Sequence, residues 1–142
     1  MLMGQIALLA AALFAGAALY VSIAEHPARL AAGDPAGLAQ WKPSYARAKI
    51  LQGALALIGG ALAFYLWWRS LNQLWLIGSM LLLANWPFTL MVMMKLNRRL
   101  ESGEPGPESS ALLARWGRLH SVRTMLGLAS ALAMLAALNW RL

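Results

Sequence analysis

Four stretches of this chain, residues 2–24, 50–68, 74–94 and 124–140, contain no Asp, Glu, Lys or Arg. About 20 helical residues cross a hydrocarbon layer roughly 30 Å thick, so each stretch is about long enough to span a bilayer. A lipid-embedded segment must satisfy its backbone polar groups internally, which makes helices the expected elements. Composition excludes a soluble reading: 61% of residues are hydrophobic and 12% charged, against about 45 to 50% and about 25% in soluble domains. A chain of 142 residues has too little interior to hide that excess from water. The first stretch has no basic segment before it and is longer than the apolar run of a secretory leader, so it reads as a retained helix. The absence of cysteine excludes disulfides, thiolate metal sites and Cys nucleophiles.

The connections differ in character. Only residues 69–73 separate the second and third stretches, which therefore form a tight antiparallel hairpin. Residues 25–49 include Pro27, Gly33, Asp34, Pro35, Gly37 and Pro43, all turn formers, and read as a loop. Residues 102–110, Ser-Gly-Glu-Pro-Gly-Pro-Glu-Ser-Ser, have the composition of a disordered segment; the helix-prone residues after them begin the fourth helix ahead of its apolar part. The expected fold is all-α: a single transmembrane domain over residues 1–142, an integral membrane antiparallel four-helix bundle with helices at about 2–24, 46–68, 74–94 and 112–140.

Orientation follows from the basic residues. Arg29, Lys42, Arg47, Lys49, Lys95, Arg98, Arg99, Arg115, Arg118 and Arg123 lie on the side of the first and third connections, and only Arg69 and Arg141 on the other. The positive-inside rule then puts those two connections in the cytoplasm and both termini outside, in a multi-pass protein of the cell (inner) membrane. The net charge of +7 has this origin, so the bilayer and not nucleic acid is the expected partner. Small residues recur every four positions at Ala7, Ala11, Ala15, at Ala56, Gly60, and at Ala129, Ala133, Ala137. Such faces serve bundle packing or a homo-oligomer equally.

Ionisable groups in or beside a bilayer are costly and persist for a reason. In an antiparallel bundle four helix ends meet on the basic side, bringing Glu25, His26 and Arg29, then Tyr45 and Lys49, then Asn85, Thr89, Asn97 and Arg98, then Trp116, His120 and Arg123. Glu25 and Arg29 are one turn apart and suited to pair; Trp116, His120 and Arg123 share a face at i, i+4 and i+7. Pro27 is expected to end or kink the first helix at His26. Pro87 removes a donor within the third span and frees the Leu83 carbonyl, with Asn85 and Thr89 flanking the break. The plainer readings are that the arginines set topology and bind lipid phosphates, and that Trp41, Trp67, Trp68, Trp75 and Trp140 form interfacial belts. Trp86 and Trp116 lie instead beside the polar end.

Two chemistries fit such a cluster. Two imidazoles and Glu25 are a two-His, one-carboxylate set for iron or copper, although adjacent helical residues diverge by about 100° and the surrounding arginines repel a cation. The other is metal-free: His26 or His120 as general base, with Arg29, Arg98 or Arg123 stabilising an oxyanion. The basic surroundings favour the second and leave the cofactor open.

At these residues the chain resembles the anthrone oxygenase-like family of small four-helix membrane proteins. The similar stretches are Phe14-Ala15-Gly16-Ala17-Ala18-Leu19-Tyr20 running into Glu25-His26-Pro27-Ala28-Arg29; Trp41-Lys42-Pro43-Ser44-Tyr45; Leu96-Asn97-Arg98-Arg99-Leu100; and Arg115-Trp116-Gly117-Arg118-Leu119-His120-Ser121-Val122-Arg123. Where the family has a proline two residues before that asparagine, this chain has Lys95. The resemblance implies oxidation of an anthrone to an anthraquinone by molecular oxygen without a conventional cofactor. It carries Glu25, His26, Arg29, Asn97, Trp116, His120 and Arg123 over as the candidate site. The expectation is an oxygenase or oxidoreductase for an apolar aromatic, anthrone- or quinone-like molecule. Its catalytic residues are His26, His120, Glu25, Arg29 and Arg123; Tyr45, Asn85, Trp86, Thr89, Asn97, Arg98 and Trp116 bind substrate. The alternatives are a non-catalytic membrane partner or small-molecule-binding subunit, and a small multidrug-type transporter, which the lack of a carboxylate before Glu25 disfavours.

Overall fold

Apolar stripes at helical spacing organise the chain into four long helices. The computed structural model describes residues 2–140; Arg141, counted above on the terminal side, lies outside the described residues. The helices are α1 (Leu2–Ala32), α2 (Ala36–Ser70), α3 (Gln73–Ser102) and α4 (Pro107–Asn139), each long and apolar enough to cross a membrane. Each packs on its chain neighbours and α4 closes back on α1, giving an antiparallel four-helix ring with little contact across its diagonal.

The helices extend well beyond the charge-free stretches. The expected loop 25–49 is helical apart from a link at 33–35, where Gly33 takes the left-handed backbone (φ 67°) suited to a residue without Cβ. Pro43 sits inside α2 without ending it, because the buried stripe Leu38, Trp41, Tyr45, Gln52, Ala56 and Ala63 runs in one helical register on both sides of it. The glycine- and proline-rich run 102–110 is also no long loop: α3 ends at Ser102 and α4 begins at Pro107, the position where a missing N–H is harmless. Ser109 donates to Asp34 (3.2 Å to Oδ1) and to the Gly106 carbonyl (2.9 Å), Ser110 also donates to Asp34, and Lys42 donates to the Gly103 carbonyl (2.8 Å). Both short links at the basic end are thereby tied together. At the other end, residues 71–72 make the turn, and the Asn72 side chain caps α3 by accepting from the Leu74 N–H.

Pro27 does not end α1. A π-helical turn, Val21–Glu25, comes just before it and the helix continues to Ala32. A second π-helical turn, Thr89–Met93, follows Pro87 in α3. Such one-residue insertions concentrate at functional sites.

The core has two parts. The terminal half is built on Ala7, Ala11, Phe14, Ala56, Ala63, Leu82 and Met134. Ala7, Ala11, Ala15, Ala56 and Gly60 are buried as their spacing predicted, but α4 presents Gly127, Ser130, Met134 and Ala137, leaving Ala129 outward. The basic half gathers Val21, Leu38, Trp41, Tyr45, Met93, Leu96, Leu100, Leu113 and Trp116. Trp41 and Trp75 are therefore core residues and not members of an interfacial belt, whereas Trp68 and Trp140 are exposed.

Candidate functional site

Trp116 is the centre of the basic half. Its Nε1 donates to Asn97 Oδ1 (3.0 Å), which fixes the indole across from α3. His120, one turn on, stacks on it with centroids 4.7 Å apart; His26 of α1 lies 5.3 Å away, and Trp41 of α2 meets it edge-on at 5.8 Å. The Arg29 guanidinium lies over the same ring at 5.7 Å, and Tyr45 stacks on Trp41 at 4.7 Å. All four helices thus contribute to one aromatic and cationic cluster.

The two histidines meet through Trp116 in different settings. His26 Nδ1 lies 3.2 Å from Arg29 Nη1. A guanidinium only donates, so Nδ1 accepts and the proton of the neutral ring sits on Nε2. That nitrogen faces α4 over Gly117, where a Cβ would come within 2.3 Å of it. His120 Nδ1 instead lies 3.3 Å from the Ser22 hydroxyl, which also pairs with Thr124 (2.8 Å). This leaves Nε2 as the His120 nitrogen available for chemistry.

Glu25 pairs with Arg29 as the spacing predicted, at 2.7 Å. Its Oε1 also accepts from Gln40 Nε2 (2.8 Å) and Ser44 Oγ (2.5 Å), and Arg29 Nε donates to Gln40. Arg29 is almost fully buried, so this network supplies the counter-charge and acceptors that a buried guanidinium needs. Among the described residues no group of three His, Asp or Glu side chains is arranged to hold a metal ion. Glu25, His26 and His120 are not gathered as a two-His, one-carboxylate set.

Arg123 contrasts with Arg29. It is 8% exposed, its Nε has no hydrogen-bond partner, and among the described residues no carboxylate lies within ion-pair distance of it. It borders two adjoining cavities. The first, between Tyr45, Trp116, His120 and Arg123, leaves about 20 Å³ for water centres, room for a water or two and not for an aromatic ring. The second, about 60 Å³, is lined by Asn85, Trp86 and Thr89 of α3 and Gly53 and Ala56 of α2. Lys49, Gln52 and Arg123 line both.

Of the expected binding residues, Tyr45, Asn97 and Trp116 belong to the central cluster, and Asn85, Trp86 and Thr89 to the second cavity. Arg98 does not join them: it is exposed on the outer face of α3. Sequence reasoning missed Ser22, Gln40, Ser44 and Gln52, neutral residues within or beside apolar segments. Gln52, the one Gln of the second span and 2% exposed, was the clearest unused signal.

Fold and site together define a polytopic membrane protein with a polar, aromatic-lined centre at one end of a four-helix bundle. The family model of anthrone oxygenase matches residues 41–133, about two thirds of the chain. The chain belongs to that family. Tyr45, Asn97, Trp116, His120 and Arg123 fall within the match, while Glu25, His26 and Arg29 precede it. No significant match to a curated protein or to a solved structure was found.

Proposed function

We propose that this protein is a membrane oxygenase acting on an apolar, anthrone- or quinone-like aromatic molecule taken from the bilayer, with His120 as general base and Arg123 as oxyanion stabiliser. The observation that carries this reading is Arg123: a buried cation without a carboxylate partner, bordering a cavity that His120 also lines. Burying a charge unpaired is costly, and an anionic ligand or intermediate repays that cost. Deprotonation of an activated C–H by His120 Nε2 gives an enolate whose oxygen Arg123 holds. Molecular oxygen adds to the carbanion carbon, forming a C–O bond. The resulting peroxide anion takes the proton back from His120, and the hydroperoxide so formed loses its remaining C–H proton and eliminates water to leave a ketone, so an anthrone and dioxygen become an anthraquinone and water.

In this reading Glu25, Arg29 and His26 are positioning residues that hold Trp116 and, through it, His120. Tyr45 and Trp41 form an aromatic wall for the substrate. Admission of a ring requires α2 and α3 to part where they are bridged by the exposed Lys49–Glu101 pair (3.2 Å). The excess of basic residues at this end supports a cytoplasmic site in the inner membrane, with both termini outside.

The test is turnover by the detergent-purified protein with an anthrone under air, followed by quinone absorbance and oxygen uptake. His120→Ala should abolish turnover and Arg123→Gln should lower kcat by about 10²- to 10³-fold, the usual effect of losing an oxyanion donor, with helical circular dichroism unchanged. Full activity in both variants overturns the reading. A non-catalytic binding subunit is the second reading, favoured by the three donors already engaged on Glu25, which suit a structural clasp. It predicts ligand binding with no turnover in the unaltered protein.

A further inference from the structure

Among the described residues, three buried polar atoms on side chains that line the second cavity have no hydrogen-bond partner. Asn85 is 2% exposed, and its amide nitrogen donates to the carbonyls of Leu82 (3.0 Å) and Leu81 (3.4 Å) at the break ahead of Pro87. That fixes the amide's orientation and leaves Oδ1 unpaired. One turn on, Thr89 Oγ1 is likewise unpaired, and Arg123 Nε is the third. Such atoms cost free energy unless something fills the cavity and bonds to them. The remaining walls are the ring of Trp86 and the small residues Gly53 and Ala56, and Trp86 is 38% exposed where α2 and α3 face the lipid.

We infer that this cavity is a subsite for the hydroxyl group of an apolar ligand, a lipophilic alcohol or phenol entering beside Trp86. The donor and acceptor pattern selects that group. A hydroxyl donates to Asn85 Oδ1 while its oxygen accepts from Thr89 Oγ1. A ketone leaves Asn85 Oδ1 unpaired, a carboxylate sets like partial charges against it, and an ammonium group faces the Arg123 cation. The inference rests on the reading that an apolar molecule occupies the adjoining site, and it adds which functional group that molecule carries at its far end.

The experiment is equilibrium binding of naphthol and of methylnaphthalene to the purified protein in detergent, read by quenching of tryptophan fluorescence. The unaltered protein should bind naphthol about tenfold more tightly, the equivalent of one or two hydrogen bonds. Thr89→Val and Asn85→Leu should each remove most of that preference. Thr89→Val is close to isosteric and breaks no hydrogen bond within the protein, so it carries the test alone if Asn85→Leu does not fold. His120→Ala should keep the preference while losing turnover, which separates this inference from the catalytic reading. Equal affinities, absence of binding, or a preference that survives Thr89→Val overturns it, leaving a cavity that holds water only.

Discussion

Gly117 decides whether His26 fits. A methyl group there would sit 2.3 Å from His26 Nε2, and the imidazole is enclosed by Arg29 and Trp116. Gly117→Ala should therefore destabilise the bundle by about 1 to 3 kcal/mol, the usual range for overpacking, visible as a lower Tm in detergent. Activity should fall with it, since the displaced imidazole presses on Trp116 and hence on His120. The ionisable members of the site were legible in the sequence because charge is rare in such a chain: Glu25, His26, Arg29, His120 and Arg123 stand out in apolar surroundings. Their neutral partners were not. Ser22, Gln40 and Ser44 have the residue types of any helix surface, and only packing reveals that Ser22 meets His120 while Ser44 and the exposed Gln40 converge on Glu25. Nor does spacing separate Arg123 from Arg98: one is buried and the other outward, because α3 and α4 turn different faces to the ring.

At the scale of the helix, the wide turn at Val21–Glu25 sets the register of the site. Ser22 faces His120 and Thr124, while His26 and Arg29 still face Trp116. The turn carries one residue more than regular helix needs for the same rotation. Deletion of the outward Ile23 should therefore close it to regular helix with Glu25, His26 and Arg29 still facing α4, whereas deletion of the outward Leu13, in regular helix, should turn the two halves of α1 apart by about 100°. Circular dichroism should stay near that of the unaltered protein in both, while turnover and Tm drop sharply only in the Leu13 deletion. Pro27 signalled an irregularity at this point but not its form, since a proline is as compatible with a helix end as with a bulge. The reach of α2 was legible and went unread: Leu38, Trp41 and Tyr45 prolong the stripe of Gln52, Ala56 and Ala63 at helical spacing, and counting prolines as turns concealed it. The four charge-free cores of the helices were plain because each is a complete bilayer crossing.

For the molecule as a whole, the long helices α2 and α4 measure about 50 Å, well over the thickness of the hydrocarbon layer, so the aromatic cluster sits toward one membrane surface. In the proposed orientation that surface faces the cytoplasm. The lack of native cysteines makes this directly measurable by single introduced thiols. A membrane-impermeant maleimide should label Gln73→Cys in intact cells, and Glu104→Cys only once the membrane is opened; the reverse pattern would place the site outside. The same bundle is unevenly joined along its length. At the terminal end the helices touch through Gly59, Gly60 and Gly78, each without space for a Cβ against the leucine or methionine opposite, and Ser79 and Ser130 donate across helices to the carbonyls of Gly60 and Gly78 (2.8 and 2.7 Å). Toward the basic end, α2 and α3 are bridged by Lys49 to Glu101, Lys42 to Gly103 and Trp86 to Gly53. A body riveted at one end and merely latched at the other works like a pair of tongs. On the proposed function, a guest would be admitted by spreading two tips, with the pivot keeping its fit and returning them to the same bite after each release.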